Sequence, residues 1–292
     1  MRKPLFVGAA TAIVTPFTET GVNYPVLADL IEFQIKGGID AIVACGTTGE
    51  ASTMPDEEHI NVIKFTVEQV KGRVPVIGGT GSNDTHHAVE LSKAAEAVGA
   101  DGILTVTPYY NKTTQKGLYG HFKMIADSIK IPAILYNIPS RTGFNMNPDT
   151  IQKLSEIENI IAVKECTLGQ AGDVVNLCGP DFSIYSGDDN NVLPILSLGG
   201  TGVISTMGNI IPKDVHDMVA KFFQGDVKGA IALQLHTLNL IKALFCEVNP
   251  IPIKAAVNLM GFNAGPCRMP LSEIDDDHLA LLRKEMKAYG LI

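Results

Sequence analysis

Short apolar runs alternate with longer segments whose apolar residues recur at helical spacing, along most of the chain. A short apolar run bounded by glycine, proline or polar residues is typical of a strand buried on both faces, and the longer periodic segments are typical of amphipathic helices. The pattern predicts eight strands, at residues 7–15, 41–45, 74–78, 102–107, 133–136, 160–164, 183–186 and 202–205.

A helix is predicted after each of these strands. The eight helices are expected at residues 24–36, 56–70, 84–98, 115–128, from about 147, 168–178, 192–198 and 213–223. Eight strand–helix units within about 224 residues match the repeat and length of a TIM barrel. A doubly wound sheet would also alternate, but no Rossmann glycine fingerprint follows any strand. We therefore predict an α/β fold, a TIM (β/α)8 barrel over residues 1–224.

The strand pattern ends at Gly225, and the rest of the chain has helical periodicity only. Residues 226–245 place their apolar side chains on one side, and further helices are predicted near 253–260 and 275–289. We predict a C-terminal helical appendage over residues 225–292. No long linker separates it from the barrel.

Composition argues against several classes of partner and site. Hydrophobic residues make up 46% of the 292 residues, and the net charge of −8 argues against a nucleic acid or an anionic membrane as partner. No apolar segment approaches the roughly 20 residues of a membrane span. The five cysteines form no C-x-x-C pair, so neither a zinc site nor a disulfide framework is indicated. A cytoplasmic protein without a signal peptide is expected.

Lys164 ends an apolar run, Ile160–Val163, that reads as a buried strand. Burial removes the hydration of an ammonium group and favours the neutral amine, which is a nucleophile towards carbonyl carbon. Alternatively, the side chain extends to water or pairs with a carboxylate. This segment alone favours neither interpretation.

Polar residues follow several predicted strands, and in a TIM barrel the carboxyl ends of the strands form the active site. These positions include Thr47, Thr48, Tyr110, Tyr136 and Arg141. No cluster of histidines accompanies them, so a histidine-bound metal or a Ser–His pair is poorly supported.

A lysine facing phenols and threonine hydroxyls suits imine chemistry, in which the amine attacks a ketone and the hydroxyls move protons. Each residue also has a structural explanation. Tyr136 could simply end a strand, Thr47 and Thr48 could serve a turn, and Arg141 could form a surface ion pair. Their expected convergence on one face of the barrel favours the functional interpretation.

Four motifs carry a resemblance to a known family: Gly46-Thr47-Thr48-Gly49-Glu50, Val106-Thr107-Pro108-Tyr109-Tyr110, Tyr136-Asn137-Ile138-Pro139-Ser140-Arg141-Thr142-Gly143 and Val163-Lys164-Glu165. Together they resemble the dihydrodipicolinate synthases, of the pyruvate-dependent class I aldolase superfamily. The match runs from Gly8 to the C-terminus and includes Asn249-Pro250-Ile251-Pro252-Ile253-Lys254. N-acetylneuraminate lyases are similar around the lysine but typically have serine-threonine in the first motif and lack the arginine.

The resemblance implies a role for each catalytic residue. Lys164 would form a Schiff base with pyruvate, and Tyr136 would donate and accept protons. Thr47 and Tyr110 would complete a proton relay, with Tyr110 supplied by a neighbouring subunit. The enzyme would be a homo-oligomer, a tetramer made of two dimers.

The resemblance also implies the substrates, pyruvate and L-aspartate 4-semialdehyde, which are joined in diaminopimelate and lysine biosynthesis. Thr48 and the backbone of Ile204 would hold the carboxylate of pyruvate, and Arg141 that of the semialdehyde. No metal or organic cofactor would be required. Alternatives are an N-acetylneuraminate lyase or 2-keto-3-deoxy sugar acid aldolase of the same superfamily, a phosphate-binding isomerase using residues 199–202, and a non-catalytic barrel.

One departure concerns regulation. Members inhibited by L-lysine have a pocket built with a histidine and a glutamate, and the matching positions here are Asp56 and His87. His59, Asn83 and Tyr109 do match that pocket. A histidine where a carboxylate should meet the ammonium of the ligand weakens recognition. Inhibition by lysine is therefore predicted to be weak or absent.

Overall fold

The apolar runs form the strands of a closed parallel barrel in a computed structural model, which describes residues 3–292. The first barrel strand, Gly8–Ala12, pairs with both the second, Ala41–Ala44, and the last, Gly202–Ser205, and the remaining barrel strands follow in sequence order. The strands are β1 Gly8–Ala12, the hairpin strands β2 Phe17–Thr18 and β3 Gly21–Val22, then β4 Ala41–Ala44, β5 Val76–Gly79, β6 Gly102–Val106, β7 Ala133–Asn137, β8 Ile160–Glu165, β9 Ser183–Ser186 and β10 Gly202–Ser205. The predicted TIM barrel with eight strands is confirmed.

Helices lie between the barrel strands and continue after the last one. Their bounds are α1 Tyr24–Lys36, α2 Asp56–Val70, α3 Thr85–Ala97, α4 Gln115–Asp127, α5 Pro139–Thr142, α6 Pro148–Ser155, α7 Leu168–Cys178, α8 Val192–Ser197, α9 Pro212–Phe223, α10 Val227–Leu244, α11 Ile251–Leu259 and α12 Asp276–Tyr289. The helical C-terminal region is thus present as predicted. Where the chain divides into units stays a prediction. None of the helices described is both long and apolar enough to cross a membrane.

Two local features differ from the prediction. The first strand was expected over residues 7–15 but ends at Ala12, and the N–H of Val14 donates to the side chain of Asn209 rather than to a neighbouring strand. The segment containing Arg141 was expected to be a loop but forms the short helix α5, which Pro139 begins and Gly143 ends. One helical turn is too short to show a hydrophobic period.

The barrel interior is filled with side chains. Phe6 stacks on Tyr185 with ring centroids 4.3 Å apart, and the Tyr185 hydroxyl donates to the Phe6 carbonyl at 2.7 Å. Small and branched residues such as Ala10, Ala41 and Val43 fill the layers around them. A packed interior leaves its last layer, at the carboxyl ends of the strands, as the only part open to chemistry.

Candidate active site

Tyr136 and Lys164 lie side by side at the carboxyl ends of β7 and β8. The two residues are paired in the register of these strands, and the Lys164 Nζ lies 4.4 Å from the centroid of the Tyr136 ring. Only 7% of Lys164 is exposed. The side chain therefore does not extend into bulk water, which was one of the two alternatives to a nucleophilic role.

Burial sets the protonation of both groups. It lowers the pKa of Lys164, and the charge of Arg141 lowers it further, while Cys166 and Asp189 act in the opposite direction. Burial raises the pKa of Tyr136 well above its ordinary value, so the phenol keeps its proton at neutral pH. The site therefore combines an amine biased towards its nucleophilic form with a phenol that can donate.

Thr47 and Cys166 are near enough to the Tyr136 hydroxyl to affect its pKa, which Thr47 lowers and Cys166 raises, although burial has the largest effect. Gly187 lies behind Cys166 and Lys164. A Cβ there would come within 2.4 Å of the Cys166 sulfur and 3.1 Å of Lys164 Cε, so a larger residue would displace the sulfur and crowd the lysine stem. Our sequence interpretation gave Cys166 and Gly187 no role, because their proximity arises only when β8 and β9 pair.

Asn249 connects the two segments proposed to hold the substrates. Its side-chain amide donates to the Thr48 hydroxyl at 3.0 Å, and its backbone carbonyl accepts from Arg141 Nη2 at 2.9 Å. The Asn249 side-chain oxygen is buried and has no hydrogen-bond partner within residues 3–292. The C-terminal region thus contributes directly to the site. The only sequence signal for Asn249 was the last motif of the family resemblance.

A buried ion pair anchors the same threonine loop. Lys254 Nζ donates to Glu50 Oε1 at 2.6 Å, with both side chains at most 1% exposed, and the other Glu50 oxygen accepts from the N–H of Arg268 at 2.8 Å. Lys254 and Arg268 both lie over the ring of Phe17. Glu50 has a φ of 57°, a conformation that is unfavourable for a residue other than glycine. These contacts offset that cost.

Replacing Lys254 with methionine should reduce the free energy of unfolding by about 3–5 kcal/mol, because it leaves a buried carboxylate without its partner. Urea unfolding measures the change. Adding Glu50→Gln should recover part of the loss. In Lys93→Met, which breaks the exposed pair with Glu90, the change should stay within about 1 kcal/mol. A loss that small for Lys254→Met would contradict the expected role of the buried pair.

The two other predicted site residues have different surroundings. Ile204 is buried in β10, where its register partner on β1 is Ala10, so its backbone lies at the barrel wall. Tyr110 is 90% exposed and has a φ of 65°, and within one chain it lies apart from the buried group around Lys164. The roles of all seven residues stay predictions.

A cavity of about 360 Å³ extends from the site towards α2 and α3. Thr47, Tyr136 and Arg141 line one part of it, and Asp56 and His87 line another. His87 Nε2 lies 2.9 Å from Asp56 Oδ1, so these two side chains pair with each other across the cavity wall.

One group of side chains in the described part of the chain could in principle hold a metal ion. The potential ligand atoms of Glu247, Asp275 and His278 lie within 4.8 Å of one another. Glu247 Oε1 already accepts from the N–H of Asp275 and lies 2.8 Å from His278 Nδ1. These contacts explain the cluster without a metal, because they tie Glu247 to the start of α12.

Sequence comparison assigns the family. Residues 5–289 match the profile of the dihydrodipicolinate synthetase family. The 4-hydroxy-tetrahydrodipicolinate synthase of Acetivibrio thermocellus is 64% identical over 292 residues, which cover all of both chains. The 4-hydroxy-tetrahydrodipicolinate synthase 1 of Clostridium acetobutylicum is 54% identical and covers 99% of each.

Solved structures agree with this assignment. The dihydrodipicolinate synthase of Aquifex aeolicus superposes with a TM-score of 0.96 at 46% identity, covering 98% of this chain and 99% of that one. The enzyme of Cyanidioschyzon merolae, solved with lysine bound, gives a TM-score of 0.96 at 41% identity, covering 99% of this chain and all of that one. The chain belongs to the dihydrodipicolinate synthetase family, and the resemblance seen in its motifs is confirmed.

Proposed function

We propose that the protein is a lyase that condenses pyruvate with L-aspartate 4-semialdehyde to give 4-hydroxy-tetrahydrodipicolinate, as the names of its relatives indicate. The observation that carries the proposal is that Lys164 and Tyr136 are both buried from water and lie against each other. The family comparisons favour this reaction over cleavage of N-acetylneuraminate or of a deoxy sugar acid. It serves diaminopimelate and lysine biosynthesis.

The first half of the reaction makes an enamine. The neutral amine of Lys164 adds to the keto carbon of pyruvate, and Tyr136 donates a proton so that the carbinolamine oxygen leaves as water. The Tyr136 phenolate then takes a methyl proton from the resulting iminium, which gives the enamine and restores the phenol. Thr47, which lines the same cavity as Tyr136, returns protons to it.

The second half forms the carbon–carbon bond. The enamine carbon attacks the aldehyde of the semialdehyde, whose carboxylate Arg141 holds through its guanidinium group. Tyr136 protonates the alkoxide that forms, which becomes the hydroxyl of the product. The amino group of the semialdehyde then attacks the imine carbon, which closes the ring and releases the Lys164 amine. Thr48 and the backbone at Ile204 hold the pyruvate carboxylate throughout. No step requires a metal or an organic cofactor.

Tyr110 suggests how subunits contribute. Its ring is almost fully exposed, so a second copy of the chain can receive it and complete the relay. A homotetramer of two such dimers, in the cytoplasm, is our proposal for the working form.

Trapping with borohydride tests the reaction class. Incubation with pyruvate and borohydride should add one reduced pyruvate unit to the protein, and peptide mass spectrometry should place it on Lys164. Side-by-side assays should then show condensation with aspartate semialdehyde and no cleavage of N-acetylneuraminate. If no adduct forms on Lys164, imine catalysis is ruled out. If an adduct forms but only the sugar acid reacts, the substrate assignment is wrong.

We expect L-lysine to inhibit this enzyme weakly or not at all. Asp56 and His87 stand where the resemblance puts a histidine and a glutamate, and the Asp56 carboxylate is already engaged by His87. Losing a charge-assisted hydrogen bond to the ligand ammonium should weaken binding about 10- to 100-fold. A steady-state assay with added lysine measures this, and Asp56→His/His87→Glu should increase the sensitivity. Strong inhibition of the unaltered enzyme at physiological lysine would contradict the prediction.

A further inference from the structure

Strand β8 contains a one-residue irregularity shortly before Lys164. Ala133 of β7 pairs with Ile160, but the next residue, Ile134, pairs with Ala162. The register therefore passes over Ile161, which makes this position a β-bulge. Bulges re-aim the side chains that follow them, because one extra residue shifts the alternation of the two faces.

The bulge decides which way Lys164 faces. Ile161 and Ala162 both lie in the cluster that fills the barrel, although they are consecutive, whereas Val163 packs in the outer layer against the helices. Without the bulge, alternation from Ile161 would direct Val163 inward and Lys164 outward. With it, Lys164 faces inward, next to Tyr136.

The pair that follows on the outer face has a strong cross-strand contact. Asn137 and Glu165 are register partners, directly after Tyr136 and Lys164. The Asn137 amide donates to both oxygens of the Glu165 carboxylate, at 2.9 and 3.1 Å. Side chains alternate along a strand, so Asn137 and Glu165 face outward where Tyr136 and Lys164 face inward. The outward pair therefore joins β7 to β8 one residue beyond the inward pair.

Further donors surround the Glu165 carboxylate, which is 1% exposed. The N–H of Thr167 donates to one oxygen at 2.7 Å, and the side-chain amide of Gln170 donates to the other at 2.9 Å. Three different N–H groups therefore point at one carboxylate. In the alternative register the Glu165 carboxylate would face into the barrel. The three N–H groups would then lose their hydrogen-bond acceptor.

We propose that Glu165 and Asn137 are positioning residues, which lock β8 after its bulge in the register that turns Lys164 into the barrel. The inference rests on the proposed function, because the direction of Lys164 affects activity only if its amine forms the imine. Neither residue touches the substrates. They act through Lys164 and Tyr136.

The test replaces Glu165 with glutamine, which has the same shape but turns an N–H₂ group towards the donors. The rate of borohydride trapping at saturating pyruvate, per folded molecule, should fall about 10- to 100-fold, because small misplacements of a reacting group are costly. Glu158→Gln is the matched control. It makes the same change at an exposed residue before β8 and should trap at the normal rate.

The pH profile of trapping separates positioning from a loss of stability. The titratable groups facing Lys164 are Tyr136, Cys166, Asp189 and Arg141. An amine that moves out of this dry site approaches its ordinary pKa of 10.5, so its trapping profile should shift to higher pH. A merely destabilised protein would lose folded molecules without shifting the profile.

Asn137→Ala is the second variant. It removes the cross-strand donor, together with the Asn137 contacts to Asn145 and to the N–H of Met146, and leaves the Thr167 and Gln170 contacts to Glu165 in place. It decides the question if Glu165→Gln does not fold. Normal trapping rates and profiles in the folded variants would overturn the inference. That result differs from failure of the proposed function, in which the unaltered enzyme itself would not be trapped.

Discussion

Lys164→Met will reduce turnover by at least about 10³-fold and abolish pyruvate trapping, while making the protein more stable. Methionine fills nearly the same space but cannot form an imine. It also removes an ammonium group that burial disfavours, and we expect the free energy of unfolding to rise by about 1 kcal/mol. Steady-state kinetics and urea unfolding measure the two effects in one variant.

The gain in stability should depend on pH in a defined direction. The pKa of Lys164 is lower in the folded protein than its ordinary value of 10.5, so between these two values the unfolded chain binds more protons. The unaltered protein therefore gains stability as the pH rises through this window. The difference in free energy of unfolding between Lys164→Met and the unaltered protein should therefore become smaller as the pH approaches 10.5.

Lys153→Met is the matched control, because Lys153 is exposed on α6 and outside the site. It should leave turnover unchanged and show no such dependence on pH. Retention of a tenth or more of the activity in Lys164→Met would show that the reaction does not pass through this amine. A loss of stability on the same substitution would show that the ammonium group has a favourable partner.

Tyr136→Phe should lower kcat by about 10²–10⁴-fold, the usual contribution of a positioned proton donor. The ring remains to pack over Lys164, so the amine keeps its dry surroundings, but protonation of the carbinolamine oxygen loses its donor. Stopped-flow measurement of imine formation should show that this step is slowed. Pyruvate affinity should change little, since the proposed carboxylate contacts, Thr48 and the backbone at Ile204, are unaltered.

Tyr289→Phe provides the comparison for this variant. It removes a phenol hydroxyl that donates to Asp214 at 2.6 Å, and neither residue lines the cavity at the site, so stability should fall slightly and kcat should not change. If Tyr136→Phe affects only the KM for pyruvate, the phenol binds substrate rather than moving protons.

The barrel could be predicted from the sequence because each strand and helix leaves a local signal. Apolar runs bounded by polar residues mark the strands, and helical spacing marks the segments between them. Closed parallel barrels place the carboxyl ends of all strands on one face. Thr47, Tyr136 and Lys164 could therefore be expected near one another from their positions after or at the end of strands. The short helix that carries Arg141 had no such periodic signal.

Contacts between distant parts of the chain could not be predicted in this way. Asn249 lies 108 residues from Arg141 and 201 from Thr48, and Lys254 lies 204 residues from Glu50. Hydrogen bonds and ion pairs of this kind depend on how the C-terminal helices dock. Hydrophobic periodicity says nothing about docking, because it reports only which face of an element is buried.

The sequence by itself determined the alternation of strands and helices and the residue types available to the site. The tertiary structure decided the direction of Lys164. Simple alternation along β8 is broken at Ile161, and only pairing with β7 shows on which face the lysine emerges. The physical reason is that an apolar run buried on both faces carries no polar residue to reveal its register, so the register is set by cross-strand hydrogen bonds.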